Sequence, residues 1–156
     1  MTQAESTDLL IIGSGIAGLT VALEAADHAD VLILTKADPW DSASNRAQGG
    51  VAAAVGPDDS PERHLQDTMD AGAGLCHQDA VDVCVREGPE AIRWVESQGV
   101  SFCRDKDGIR DLGREGGHRR RRILHVKDMT GKELVRVLLE RARAHPRITI
   151  RSGWLA

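Results

Sequence analysis

The residues with the clearest chemical reading are Gly13-Ser14-Gly15-Ile16-Ala17-Gly18, a G-x-G-x-x-G run. The spacing suits a diphosphate. Gly13 permits a tight turn, Gly15 lets a pyrophosphate approach the backbone, and Gly18 lets the following helix pack closely on the preceding strand. The helix N-terminus then offers unpaired N–H groups and the positive end of its dipole. An ordinary NAD site adds an acidic residue at the end of the second strand, about 20 residues on. Thr35-Lys36 stands there instead, which argues against the ordinary NAD arrangement and makes Lys36 a cation beside an adenosine or its phosphates. The residues alone leave the dinucleotide open.

Other candidates have weaker readings. Arg119 to Arg122 form a basic run, but arginine outnumbers lysine 16 to 4 and aromatic residues are only 3%, so the stacking platform of a nucleic-acid binder is missing. A local basic surface, or attraction of a dianionic substrate, is the expectation. His118 and His125 have no partner at metal-ligand spacing and read as structural hydrogen-bonding residues. Cys76, Cys84 and Cys103 are odd in number and too far apart for a metal knuckle; they read as reduced and partly buried. No metal site is expected.

The elements that position these residues follow from apolar patterning. Asp8 to Ile12 is a short apolar run, read as a strand buried on both faces. Ile16, Leu19, Leu23 and Ala26 give the next segment a helical apolar side, and Val31 to Leu34 forms a second strand, parallel to the first by the crossover rule. Thr35 to Pro61 is rich in small residues without a periodic face, and reads as a functional loop with one helical turn. Pro61 to Gly72 and Gln78 to Gln98 read as helices, the second broken at Gly88-Pro89 and stopped at Gly99. Residues 101–122 read as a polar excursion near the substrate, with a hairpin around Asp107-Gly108. After Ile123 to His125, Thr130 is placed to cap a helix with Glu133 three positions on, and Ile148 to Arg151 is a further strand. The fold class is α/β: a Rossmann-like domain with a parallel sheet and flanking helices, incomplete at its C-terminus.

Length and composition bound this reading. The 156 residues, 41% hydrophobic and 28% charged, suit one globular domain. No apolar run approaches the ~20 residues of a membrane span, and Met1 to Asp8 lacks the pattern of a secretory signal; a cytoplasmic location is expected. The net charge of −4 is uneven, with −12 over residues 1–103 and +8 over 104–156. Mutual attraction within the fold accounts for such asymmetry without an anionic partner.

Ile11 to Leu19, Thr35-Lys36 and Ala47-Gln48-Gly49-Gly50-Val51-Ala52-Ala53 together resemble the flavoprotein family of succinate dehydrogenase and fumarate reductase. Asp67 to Cys76, Arg114-Glu115-Gly116-Gly117-His118, Arg121 to His125 and Asp128 to Gly131 are most similar to the L-aspartate oxidase branch. The similarity runs from Leu9 to about Ile150. It implies noncovalent FAD: succinate dehydrogenases carry a flavin-linked histidine five residues before the glutamine of A-Q-G-G, and Ala43 stands there. Arg120 departs from the histidine of some members. By the resemblance, Ser14, Gly15, Ile16 and Ala17 meet the pyrophosphate, with Gly13 and Gly18 in the same cofactor-binding run. Lys36 lies by the adenosine half, and Ala43, Ser44, Asn45, Arg46, Ala47, Gln48, Gly49 and Gly50 wrap toward the isoalloxazine. Small residues with main-chain donors suit the polar edge of a planar ring.

The resemblance also implies the reaction: FAD-dependent oxidation of L-aspartate to iminoaspartate, the first step of de novo NAD biosynthesis, with oxygen or fumarate as acceptor and quinolinate synthase as a functional link. Glu115 then orients the substrate amine, since a carboxylate is the natural partner of an ammonium that succinate and fumarate lack. An ordinary ion pair with Arg114 or the following arginines is the competing reading of Glu115. The family's proteins are several times longer, so residues 1–156 correspond to an N-terminal part of the FAD-binding domain, the capping and C-terminal helical domains being absent and the piece alone inactive. A fumarate reductase or succinate dehydrogenase flavoprotein, and a non-catalytic nucleotide-binding fragment, are the alternatives.

Overall fold

The computed structural model describes residues 6–155. The expectation for the polar opening segment falls largely on residues 1–5, which lie outside them with Ala156. In chain order the elements are β1 (Leu9–Ile12), α1 (Ile16–Ala25), β2 (Val31–Thr35), a single 3-10 turn (Ser44–Arg46), β3 (Val51–Ala52), α2 (Pro61–Ala71), α3 (Gln78–Gln98), β4 (Ile123–Leu124), α4 (Thr130–Ala144) and β5 (Ile148–Ser152). They divide between two compact units, Met1–Ala47 with Gly131–Ala156, and Gln48–Thr130.

The first unit holds a parallel sheet of order β1-β2-β5. Its register sets Ile11 beside Ile33 and Ile33 beside Ile150. The α/β reading is confirmed, as is the parallel pairing of the first two strands. Leu19, Ala22 and Ala26 are the buried positions of the first helix and its cap, at the i, i+3, i+7 spacing that lines one helical face. Burial of β1 on both faces is corrected: Ile11 is buried, but Leu10 is 50% and Ile12 69% exposed. Successive side chains of a strand point to opposite sides, and the described residues cover the side on which Leu10 and Ile12 stand only in part.

The second unit pairs α2 with α3 and joins β3 to β4 antiparallel, Val51 opposite Leu124 and Ala52 opposite Ile123. The loop expected from Thr35 to Pro61 does contain its one helical turn. It also contains β3, whose two residues are too short for any periodicity to register. A Cβ added at Gly50 would lie 2.1 Å from Ile123 Cγ2, so glycine there is a packing requirement.

Helix α2 starts as capping chemistry prescribes, with Ser60 Oγ accepting the Arg63 N–H and Pro61 in the first turn. Helix α3 is not broken at Gly88-Pro89; it runs unbroken for 21 residues. A proline removes one main-chain bond, and burial of Val85 and Ile92 on either side carries the helix past it. The expected stop at Gly99 is present, with φ +112°. The hairpin around Asp107-Gly108 is present too, closed by the Asp105 N–H donating to the Ile109 carbonyl and by a bridge between Arg104 and Arg110. Thr130 is the first residue of α4, and its buried hydroxyl accepts the Val126 N–H at 3.0 Å. All three cysteines are free, but Cys84 is exposed rather than partly buried. Among the described residues no helix is long and apolar enough to cross a membrane.

Candidate functional site: a glycine turn and an arginine-clamped loop

In the first unit the glycine run connects β1 to α1 as its spacing requires. Gly13 adopts φ +105°, and its N–H donates to the Leu34 carbonyl at 2.8 Å, which ties the turn to β2. A Cβ on Gly18 would sit 2.2 Å from the Gly13 carbonyl oxygen. The helix therefore lies against the turn only because that position has no side chain. Gly15 is the extended N-cap and offers no side-chain cap, so the first turn of α1 presents main-chain donors.

A crevice of about 590 Å³ opens over this turn, lined by Gly13, Gly15, Lys36, Ala43, Ser44 and Trp154 among others. It lies at the carboxyl ends of the parallel strands, where open α/β sheets take their ligands. Ser14 also lines it, but its buried hydroxyl is committed to the Pro39 carbonyl at 2.9 Å; this residue offers its main chain. Ser44 Oγ accepts the Ile16 N–H at 3.2 Å, which sets the 42–46 turn against the mouth of α1. Ala17 is exposed on the first turn of the helix. Arg46 pairs with Asp41. The Ala47 carbonyl accepts the Gly131 N–H at 3.1 Å, and a Cβ on Gly131 would fall 2.0 Å from the Ser44 carbonyl oxygen, so the turn is seated on the start of α4.

Within this tract Asn45 Oδ1 is buried without a hydrogen-bond partner. A buried acceptor left unpaired costs on the order of 1–3 kcal/mol, and a ligand donor would satisfy it. Open backbone at Gly13 and Gly15, a cationic Lys36 and this orphaned acceptor fit a dinucleotide with a hydrogen-bonding ring system.

In the second unit the structure brings Gly49 and Glu115 together. A Cβ built on Gly49 would lie 3.7 Å from Glu115 Oε1 and 4.0 Å from Oε2, so the carboxylate stands over the glycine backbone. Among the described residues that carboxylate has no ion-pair partner, and the competing reading of Glu115 as a partner of neighbouring arginines is not what the structure shows. The arginines are engaged with the acidic residues at and before α2. Arg122 is fully buried, with Nε and Nη2 each 2.8 Å from Asp59 and Nη1 3.0 Å from Asp67. The Arg119 N–H donates to Asp67 at 2.9 Å, its guanidinium pairs with Asp70, and Arg120 reaches Asp58 at 3.5 Å. The expectation of a basic surface at 119–122 is corrected at one position: Arg119, Arg120 and Arg121 are exposed, the first two paired with Asp70 and Asp58, whereas Arg122 is buried.

Beside this cluster His64 and His118 stand with ring centroids 5.7 Å apart, and Arg122 Nη1 is 3.4 Å from His118 Nδ1. Burial pushes the His64 imidazole below its ordinary value, and repulsion from Arg122 and His118 adds to this. Its Nδ1 is buried and unpartnered. No group of three or more potential metal ligands occurs among the described residues.

The family model described as FAD binding domain matches residues 8–156. The chain belongs to this family. The FAD-binding domain is 52% identical to the chloroplastic L-aspartate oxidase 2-b of Nicotiana tabacum, over 92% of this chain and 22% of that protein. It is 42% identical to the L-aspartate oxidase of Pseudomonas aeruginosa, over 100% of this chain and 30% of that one. Among solved structures, a mutant E. coli quinol fumarate reductase superposes with a TM-score of 0.90 at 34% identity, over 96% of this chain and 26% of that chain. The chain thus spans about a quarter of the length of the curated relatives it matches.

Sequence reasoning missed three contributors. Trp154 lines the crevice immediately after β5, its N–H held by the Thr35 carbonyl at 3.2 Å; no motif announces a position fixed only by strand pairing. Pro39 matters through its carbonyl alone. Arg122, Asp59 and Asp67 meet only in three dimensions, and no spacing rule links them.

Proposed function

We propose that this chain is the FAD-binding part of an L-aspartate oxidase, in which FAD is held noncovalently and L-aspartate is oxidised to iminoaspartate. The observation that carries the substrate assignment is the unpaired Glu115 carboxylate standing over Gly49. The main-chain donors left at the α1 N-terminus, those of Gly15, Ala17 and Gly18, hold the diphosphate, the Ile16 N–H being taken by Ser44 Oγ. Lys36 faces the adenosine half, and Ser44 and Asn45 meet the ring system. FAD, when bound, supplies the acceptor for the hydride that leaves the substrate Cα. Ala43 presents no nucleophile for a covalent flavin link.

Glu115 accepts a charge-assisted hydrogen bond from the aspartate ammonium, worth about 1.5–3 kcal/mol. A dicarboxylate without an amine forfeits that bond and leaves the carboxylate without its cation. Selection of aspartate over succinate therefore resides in this one side chain, with oxygen or fumarate as the final acceptor. A cytoplasmic setting and a quinolinate synthase that consumes the unstable imine complete the proposal. The fumarate reductase reading draws on the solved-structure similarity, and the same experiment separates the two. In the full-length enzyme, Glu115→Gln should raise the KM for aspartate by roughly 10- to 100-fold, the equivalent of that hydrogen bond, while fumarate reduction changes little. Equal losses in both reactions would refute the assignment.

A further inference from the structure

The loop that carries Glu115 is polar and exposed at its tip, yet it is anchored by buried side chains. Its two limbs meet where the Gly113 N–H donates to the Ile123 carbonyl at 2.8 Å and the Ile123 N–H returns to Gly113 at 3.1 Å. That ladder fixes the base of the loop but not its tip. The returning limb is fixed by side chains: Arg122 through its fork to Asp59 and its contact with Asp67, and Arg119 through the main-chain N–H that Asp67 accepts. From there the His118 N–H reaches back to the Glu115 carbonyl at 3.3 Å. Gly117, at φ +83°, turns the chain where a Cβ would come within 3.2 Å of Ala71 Cβ.

The side chains of Asp59 and Arg122 are both 0% exposed and that of Asp67 is 2% exposed. Taking such charges out of water costs several kcal/mol per ion, and a well-packed apolar set of the same volume would often be at least as stable. Stability alone does not explain why a guanidinium and two carboxylates occupy this place. A planar fork held bidentately does supply a fixed direction, which apolar contacts do not.

We infer that Arg122 is a positioning residue for Glu115: clamped by Asp59 and Asp67, it holds the 113–123 loop so that the Glu115 carboxylate stays over Gly49, and it thereby sets the enzyme's preference for an amino-bearing dicarboxylate. The inference rests on the reading of Glu115 as the partner of the substrate ammonium. Lysine at position 122 keeps the charge but not the fork, and Asp59→Asn keeps the shape but weakens the acceptor.

The test uses the full-length enzyme with Arg122→Lys and Asp59→Asn, each alone and combined with Glu115→Gln. Steady-state kinetics for aspartate and for fumarate are measured together with hydrogen exchange of amides 114–121. Arg122→Lys should raise the aspartate KM by roughly 10- to 100-fold, the loss typical of a binding group displaced by about an ångström, with the fumarate KM little changed and the loop amides exchanging faster. In the Glu115→Gln background it should add almost nothing, since both changes remove one interaction. Losses that multiply, or that fall equally on aspartate and fumarate, would show a merely structural role and overturn the inference. If Arg122→Lys does not fold, Asp59→Asn is held to the same outcomes, and unchanged exchange with unchanged KM would overturn it equally. Glu115→Gln without effect on aspartate would sink the underlying reading instead, a result distinct from an effective Glu115→Gln beside a silent Arg122→Lys.

Discussion

The turn at Gly13 to Gly18 and the loop at Gly113 to Ile123, which the proposed function assigns to the cofactor and to the substrate, are built on opposite plans. The turn works by what is missing. Its requirements lie within six consecutive residues and are met by main-chain atoms, with no side chain at Gly18 to push α1 away from the Gly13 carbonyl. The loop works by what is added: its geometry depends on side chains that meet partners 52 and 63 positions away in the chain. A site made of backbone is intolerant of extra atoms, whereas a site made of ion pairs is intolerant of losing one partner.

That contrast can be broken most forcefully at Arg122. Replacing it by methionine strands Asp59 as a buried charge without its cation and leaves Asp67 with Arg119 alone, and should cost about 3–5 kcal/mol, read as a fall in the urea midpoint. A cost below about 1 kcal/mol would mean that the cluster is hydrated and not a clamp. At Gly18 the change is an addition. Gly18→Ala should cost about 1–3 kcal/mol through overpacking, and the protein should lose its yellow colour although it still folds. Full flavin content in that variant would show that helix and turn need not touch.

Much of the first region was legible in the sequence and little of the second. The strand, turn, helix and strand between Leu9 and Thr35 follow from apolar runs and glycine spacing, because their determinants are neighbours in the chain. The tract from Ala43 to Gly50 was found through resemblance and its small residues, but not the orphaned Asn45 oxygen, which only packing reveals. Glu115 is assigned on the chemistry of an ammonium partner, and the structure adds its place over Gly49. Of the arginines after it only Arg122 was misread as surface charge, since its burial depends on carboxylates at and before α2. The supposed break at Pro89 failed for a related reason: the burial of Val85 and Ile92 outweighs one lost main-chain bond.

The two regions should also differ in their response to pH. His64 belongs to the second unit, and burial lowers its value below the ordinary 6.5. In the window between its folded value and 6.5 the unfolded chain binds more protons than the folded one, so stability rises with pH there. The contribution of neutral His64 is complete above the ordinary value and is lost as pH falls through the folded one. Melting temperature should therefore drop between about pH 7 and about pH 5, and His64→Phe should flatten that slope. An unchanged slope in the variant would assign the pH dependence elsewhere.

Smaller effects sharpen the comparison. Trp154 lines the crevice while 53% exposed, so added FAD should quench its emission, an effect that Trp154→Phe removes and that persists in a protein lacking Trp40 and Trp94. Quenching that survives loss of Trp154 would place the adenosine half elsewhere. Smallest of all is the exposed fork of Arg86 to Asp82 and Glu62, where Arg86→Ala should leave urea midpoints unchanged, as surface ion pairs usually do. A marked drop there would erase the distinction drawn between buried and exposed arginines.

The account depends most on FAD lying with its diphosphate at the mouth of α1. Its most direct measurement is the visible spectrum of the purified protein before and after denaturation, repeated with added FAD. A yellow protein that releases free FAD on unfolding, or a folded apoprotein that turns yellow on adding it, is the predicted result. A colourless, well-folded protein that leaves added FAD untouched would contradict it.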